Sequence, residues 1–490
     1  MIEFLPHFIA LFFVVYLLIL AAKPTAKKSV NLTLFLVWAF VFLFQVSANV
    51  FQKGLFMDGL IYSSIAMNMA ENIGDFWHPV FLNNEGVFYS HPPLVFYLQH
   101  FFFKTFGDIF WVEKLYNILL GVLSVLVIAK IWKEVKKEET TFFSLKFLPS
   151  ILLFTFPLAG WAIRSNVLEV TQCFFILLAC CFFQKSLDLS FKKSLLFILL
   201  GAFFILLSML CKGFTGLFPL FYFVLYSIVF YKKITIDSLL KTSFAVFVLG
   251  MQILLVWIMF NDSHAYFYTY IQKQVLDSVN GLYTTSSRFW IVISLFQQLL
   301  IPIIITAVLL FIAKKNKVQI KYRKEAVFYF CIGLSASLPL MISLKQSEFY
   351  LYPSLPFFAI SFALLLANPV LFFLSKINQK KANGFFIGGI FVVVCYSFFV
   401  FKNAERDKLL IADLSTVFAD NKKIKSVALS DEILKNYSLI GYAKRYHHVE
   451  FCSKYTASYL LKENQWLSET EKAAIISNSS KLCLVKNRLH

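Results

Sequence analysis

The chain has 490 residues, 59% of them hydrophobic and only 15% charged, a balance that a water-soluble globular protein of this length could not keep in solution. Its solvent is lipid, and the formal charge of +19 belongs to loops, where it orients helices and attracts anionic lipid. Composition therefore gives a nucleic-acid partner no support.

Apolar runs of roughly 18 to 20 residues suffice to cross a hydrocarbon core of roughly 30 Å. In chain order they predict about twelve spans, at 3–22, 31–50, 112–131, 147–162, 170–184, 194–211, 214–231, 242–260, 289–313, 325–343, 350–367 and 384–401. Basic residues follow the first run and no A-x-A site precedes a mature start, so it reads as a helix and not as a cleavable leader. The long connection 51–111 is predicted to carry interfacial helices. In it Tyr62, Ile65, Ala66, Met69 and Ala70 recur at helical spacing and would lay one face on the membrane, and 94–106 is a second such piece.

Alternate connections are basic: Lys23, Lys27 and Lys28; Lys133, Lys136 and Lys137; Lys185, Lys192 and Lys193; Lys232 and Lys233; Lys314 to Lys324; Lys376, Lys380 and Lys381. The positive-inside rule puts these in the cytoplasm. Connections 51–111, 163–169, around 212, 261–288 and 344–349, with the tail from 402, then share the opposite face. The tail has soluble composition. A strand-like run Ile424 to Leu429 after Lys422 and Lys423, a helix at 430–440, the Tyr442-to-Val449 stretch and a closing strand Lys481 to Val485 suggest a small α/β unit. The fold class is thus an all-α polytopic membrane protein over 1–401 with a small C-terminal α/β extracytoplasmic domain over 402–490. Six cysteines fall in spans; Cys452 and Cys483 lie in the tail, as a disulfide or as two reduced thiols.

Charges at membrane edges are costly, so those outside the cytoplasmic loops are functional candidates. Asp58, just beyond the second span, is a base for a nucleophile or an interfacial helix cap. Arg164, Asn166 and Glu169 meet at the next outer junction, where Glu169 either pairs with Arg164, five positions away, or positions an acceptor or a divalent ion. Lys212, flanked by Gly213 and Gly216, suits a lipid phosphate or snorkels. Ser90-His91-Pro92-Pro93-Leu94 forms a rigid turn presenting an imidazole. Lys345, Glu348 and Tyr350 run into Pro353 and Pro356 at another outer junction, whereas loop 261–288, with Asp262, His264, Lys273, Asp277 and Arg288, reads as a solvated connector.

Several motifs occur in order over residues 31 to about 370. Asp58 precedes Tyr62-x-x-x-Ala66, followed by Gly74-Asp75-Phe76-Trp77-x-Pro79, His91-Pro92-Pro93-Leu94 and Phe106-Gly107. Glu169, Leu210-x-Lys212-Gly213 and Tyr350-x-x-Pro353-x-x-Pro356 complete the set. The series resembles the GT-C superfamily of polyprenyl-phosphate-sugar glycosyltransferases, in the branch of protein O-mannosyltransferases and the aminoarabinose transferase that modifies lipid A. His91 departs from the lysine some relatives carry, and Asn166 stands where others are acidic.

The resemblance implies a membrane-embedded cavity holding the prenyl chain of a polyprenyl (undecaprenyl) phosphate-sugar donor, its phosphate met by Lys212, His91 and Arg164. Asp58 would activate the acceptor, inversion following from single displacement, and Glu169 would orient that acceptor or hold a metal. Tyr62, Lys345, Glu348 and Tyr350 would line the cavity, and a divalent ion, if present, would draw on Asp58, Glu169 and His91. The acceptor is an envelope lipid such as lipid A, a polysaccharide or a protein. The implied location is a bacterial inner membrane with the site facing the periplasm or exterior. A transporter or flippase of lipid-linked sugars is the competing class, but it calls for mid-membrane polar groups and often repeated halves, neither of which is seen. A polymerase or ligase of lipid-linked glycans shares the chemistry and would add a glycan-length groove.

Overall fold

The computed structural model describes residues 28–50, 52–136, 139–276, 284–400, 405–419, 424, 426–452 and 456–487. The predicted span 3–22 and Lys23, Lys27, Lys137, Asp277, Lys422 and Lys423 lie outside them. The chain divides into two compact units, one of Met1–Ala48, Ser90–Pro92 and Asn117–Phe399, the other of Asn49–Tyr89, Pro93–Tyr116 and Val400–His490.

The longer helices in chain order are α1 Lys28–Val50, α2 Met57–Ala70, α3 Leu94–Phe106, α4 Val112–Val135, α5 Leu148–Leu153, α6 Pro157–Arg164, α7 Leu168–Ser186 and α8 Phe191–Lys212. They continue as α9 Tyr222–Tyr231, α10 Ile236–Met259, α11 Asp262–Tyr270, α12 Trp290–Lys315, α13 Arg323–Ser337, α14 Leu355–Lys376, α15 Gln379–Val400, α16 Lys408–Ala419 and α17 Tyr437–His447. In lipid every backbone polar group needs an internal partner, and the helix supplies one. Among the described residues eight stretches are long and apolar enough to cross a membrane, or nine if one bent pair is a single span. The chain is an integral membrane protein.

Of the twelve, 3–22 lies outside the described residues and 384–401, most of it in α15, is not among the eight; the remaining differences have local causes. The run expected at 147–162 is broken by 78° where Pro157 starts α6. The two runs expected at 194–211 and 214–231 form one helical stretch of 41 residues, Phe191–Tyr231, too long for one pass at about 1.5 Å per residue. It makes two passes. α8 ends at Lys212, Gly213 takes a positive φ of 79°, and a 3₁₀ segment Gly213–Phe221 follows. That segment descends beside α7: Gln172 donates to Thr215 at 2.9 Å, and Tyr222 donates to Gln184 at 2.7 Å.

The connections assigned to one face by their lysines do meet. Lys136 pairs with Glu325 at 2.8 Å and Lys321 with Glu139 at 2.9 Å, joining the α4–α5 loop to the approach to α13. Lys241 near the start of α10 donates to the carbonyls of Ser186 and Leu189 at 3.0 and 2.8 Å, tying that end to the α7–α8 turn.

The second unit holds the five-stranded sheet, in the order β2-β1-β3-β5-β4. β1 (Ser426–Leu429) pairs in parallel with β2 (Glu450–Phe451) and β3 (Tyr459–Glu463), and β5 (Leu482–Lys486) runs antiparallel to β3 and β4 (Ile475–Asn478). The tail helix begins later than the 430–440 expected, because Asn436 caps it by accepting from the Leu439 N–H at 3.1 Å. Cys452 and Cys483 are separate thiols.

Helix α2 also departs from expectation. Its residues Gly59, Leu60 and Tyr62 to Met69 are all buried in protein, so no face of Tyr62, Ile65 and Met69 meets the membrane surface. α17 covers it closely, a Cβ on Gly441 falling 2.9 Å from the Leu60 Cβ. Beside this contact lies a buried charge network. Arg445 of α17 binds Asp108, Glu113 at 2.9 Å and the Ile109 carbonyl at 2.9 Å, and His448 binds Asp108 at 2.7 Å.

Candidate functional site

The chemistry-bearing residues of the first unit gather where α7 starts and α8 ends. Asn166 in the left-handed region (φ 55°) turns the chain into α7, whose first turn carries Glu169, a position where the helix dipole favours a carboxylate. α7 and α8 are neighbours joined by a short turn, which brings the last residue of α8 beside the first turn of α7. Lys212 there forms an ion pair with Glu169, with side chains only 9% and 2% exposed. The ammonium also lies 4.3 Å from the ring centroid of Tyr350 and 4.9 Å from that of Phe349, which hold a cation through their ring quadrupoles.

These rings have their own supports. Phe349 stacks on Trp161 at 5.8 Å. Glu348 accepts from Gln298, whose carbonyl takes the free N–H of Leu158 at the start of α6 at 2.9 Å. Lys345 sits on a pinned strap: Thr284 donates to the carbonyl of Gln346 at 2.8 Å, and Gln346 to that of Ser343 at 2.8 Å.

His91 faces the same charges. Burial first, then the ammonium groups of Lys212 and Lys345, hold its imidazole well below its usual 6.5, so it is neutral at neutral pH. Its carbonyl accepts from Tyr266, and the Tyr270 hydroxyl lies 3.4 Å from the Lys212 carbonyl. A side chain at Gly213 would collide with that hydroxyl.

The expected residues thus separate into two groups. Glu169, Lys212, His91, Lys345 and Tyr350 cluster in the first unit, with Glu348 one residue from the aromatic pair. Arg164, in the same unit, donates to the Gln45 carbonyl at 3.0 Å. Asp58 and Tyr62 belong to the second unit: Asp58 stands partly exposed in the first turn of α2, and Tyr62 is buried with its ring 5.6 Å from Phe96. Among the described residues no three His, Cys, Asp or Glu side chains gather as a metal site.

Tyr266, Tyr270, Gln298 and Phe349 were not singled out from the sequence, and 261–288 was read as a connector. Its start is instead α11, whose two tyrosines hold the backbones of His91 and Lys212. Their spacing of four residues on one helix face was the available signal. The cluster offers two ammonium groups, a neutral imidazole and a carboxylate, a set suited to an anion next to a hydroxyl.

Residues 90–260 match the family described as dolichyl-phosphate-mannose-protein mannosyltransferase. No curated protein matches the chain by sequence. Among solved structures, ArnT from Cupriavidus metallidurans bound to undecaprenyl phosphate is 14% identical, with a TM-score of 0.62 over 94% of this chain and 98% of that one. Its apo state gives 13% and 0.60 over 93% and 96%. The archaeal oligosaccharyltransferase AglB from Archaeoglobus fulgidus, in complex with an inhibitory peptide and a dolichol-phosphate, is 13% identical, with a TM-score of 0.51 over 90% of this chain and 70% of that one. The family match spans residues 90–260, and over most of its length the chain shares its fold with these membrane proteins. Nothing in these matches supports the transporter alternative.

Proposed function

We propose that the chain transfers a sugar from a polyprenyl-phosphate donor to an envelope acceptor on the non-cytoplasmic side of a bacterial inner membrane. The observation that carries this reading is the cluster of Lys212, Glu169, His91, Lys345 and Tyr350 in a fold shared with a protein that binds undecaprenyl phosphate. Lys212 and Lys345 take the donor phosphate, and His91 donates to it, gaining a proton as the anion's charge raises its affinity for one. The acceptor hydroxyl or amine attacks the anomeric carbon and forms the new bond. The bond from that carbon to the phosphate oxygen breaks, its electron pair leaves on the polyprenyl phosphate, and Asp58 takes the acceptor's proton. Attack opposite the leaving group inverts the anomeric centre.

Glu169 has two tasks in this reading: it fixes the Lys212 ammonium and orients the acceptor. The developing charge on the phosphate is met by cations already in place, the arrangement that lowers barriers most in such sites.

Transfer of radiolabelled sugar from crude polyprenyl-phosphate-sugar donors to envelope fractions tests the proposal, comparing the parent protein with Asp58→Asn at matched membrane expression. Loss of a general base should lower transfer by about 10² to 10⁴. Equal transfer by both proteins would remove Asp58 from the chemistry.

A further inference from the structure

The second unit contains a cavity of about 810 Å³ that the transfer scheme does not use. Its wall is made by the segment after α1 and by α16 and α17, and includes Lys53, Glu71, Phe418, Tyr446, His447 and Glu450. The volume lies in the range of small-ligand sites, roughly 300 to 1,000 Å³, and far exceeds that of a bare phosphate.

The charges around it are unevenly matched. Glu450 is paired with Lys444, and Glu71 lies 3.4 Å from His448. The Lys53 ammonium makes no ion pair among the described residues and lies 6.0 Å from the Tyr446 ring centroid. The His447 ring packs against Phe418 at 5.4 Å. Burial, then Lys53 and His448, push its pKa down to about 4, as expected of an imidazole beside two basic groups. One uncompensated ammonium and one imidazole crowded by cations are what an anion would relieve.

The carboxylates of Glu71 and Glu450 accept hydrogen bonds only. They would repel a bare anion and would welcome hydroxyl groups. We propose that this cavity binds an anionic saccharide, its phosphate or carboxylate taken by Lys53 and His447 and its hydroxyls donating to Glu71 and Glu450. The site concerns binding alone and stands or falls apart from the transfer reaction.

The test uses the full-length protein in nanodiscs and follows hydrogen–deuterium exchange at the imidazole C2 of His447 by mass spectrometry across pH. The probes are glucose 1-phosphate, glucuronate, inorganic phosphate and glucose. Either anionic sugar should raise the His447 midpoint saturably, by about one unit or more, corresponding to at least about tenfold coupling, while glucose leaves it in place. Response to only one of the two sugars supports the proposal and names the acidic group. Lys53→Met, at an exposed position outside the transfer machinery, should weaken binding about tenfold, the scale of one charge-assisted hydrogen bond. An unmoved midpoint with both sugars, unchanged binding in Lys53→Met, or inorganic phosphate matching the sugars would each overturn the proposal.

Discussion

The two units bury charge in different ways. In the second, Arg445 is fully buried but its guanidinium meets two carboxylates and a backbone carbonyl, and His448 binds one of those carboxylates in turn. In the first, Lys212 is clamped between Glu169 and two aromatic rings, and burial, then the ammonium groups of Lys212 and Lys345, hold the His91 pKa down. The Arg445 network joins α17 to the α3–α4 turn and the start of α4, segments more than 300 residues apart in sequence, and in it opposite charges are paired. The Lys212 cluster gathers like charges at helix ends beside flanking aromatics. Burial of charge alone is therefore a poor guide to function; what differs is whether opposite charges close the set or like charges are brought together.

Breaking Arg445 should act on folding and not on transfer. Arg445→Met leaves Asp108 and Glu113 without their cation, and removing one partner of a buried pair costs about 3 to 5 kcal/mol. The expected readout is a large fall in thermal midpoint and folded yield. Neutralising all three groups together, Arg445→Met with Asp108→Asn and Glu113→Gln, should recover most of that stability and leave transfer at the parent level. A stable triple variant without transfer would show that the closed network also serves the reaction.

The matching experiment on the first unit separates the roles. Lys212→Met alone strands the Glu169 carboxylate and should destabilise the fold on the same scale, whereas Lys212→Met with Glu169→Leu should restore stability. The double variant should nevertheless lose transfer by about 10² to 10³, the usual effect of deleting a charge-stabilising donor. Full transfer by a stable double variant would place this cluster in the same structural class as the Arg445 network.

The sequence was informative where physics is local. Lysines alternating between apolar runs assigned loops to one face, and Lys136–Glu325 and Lys321–Glu139 now join two of those loops. Lys212 and Glu169 were visible as candidates because each ends or begins a span on the same predicted side, but the partner expected for Glu169 was Arg164, and it is the adjacency of α7 and α8 that pairs it with Lys212. Tyr350 followed from its motif. What stayed hidden depended on distant packing. The helical spacing of Tyr62, Ile65 and Met69 is equally compatible with a membrane surface and with a protein cover, and only the close approach of Gly441 decides between them. Arg445 pairs across more than 300 residues, and nothing in its neighbourhood of Tyr442, Lys444 and Tyr446 points to Asp108 or Glu113.

The smallest predicted effects concern two adjacent histidines whose shifts have opposite sign. His447 is pushed down to about 4 by burial, Lys53 and His448. Between about pH 4 and the unfolded value near 6.5, the unfolded chain holds a proton there that the folded chain lacks, so stability falls as pH falls through this window. His448 is raised above its usual value by its hydrogen bond to Asp108, against its own burial, with help from the charges of Asp108 and Glu71. Its contribution is complete below about 6.5 and fades as pH rises through the raised folded value. Asp108 cannot imitate the acid limb. Despite burial, His448 and Arg445 hold its carboxyl below the usual value, so its contribution is lost only below about pH 4. After solvent screening, the His447 limb should be on the order of 1 kcal/mol. Thermal midpoints from pH 4 to 8.5 should therefore show a shallow optimum near neutrality, with His447→Gln flattening the acid side and His448→Gln the alkaline side. If His447→Gln left the acid slope unchanged, the neutral imidazole beside Lys53 would no longer account for it, and the anion site built on that pair would lose its electrostatic basis.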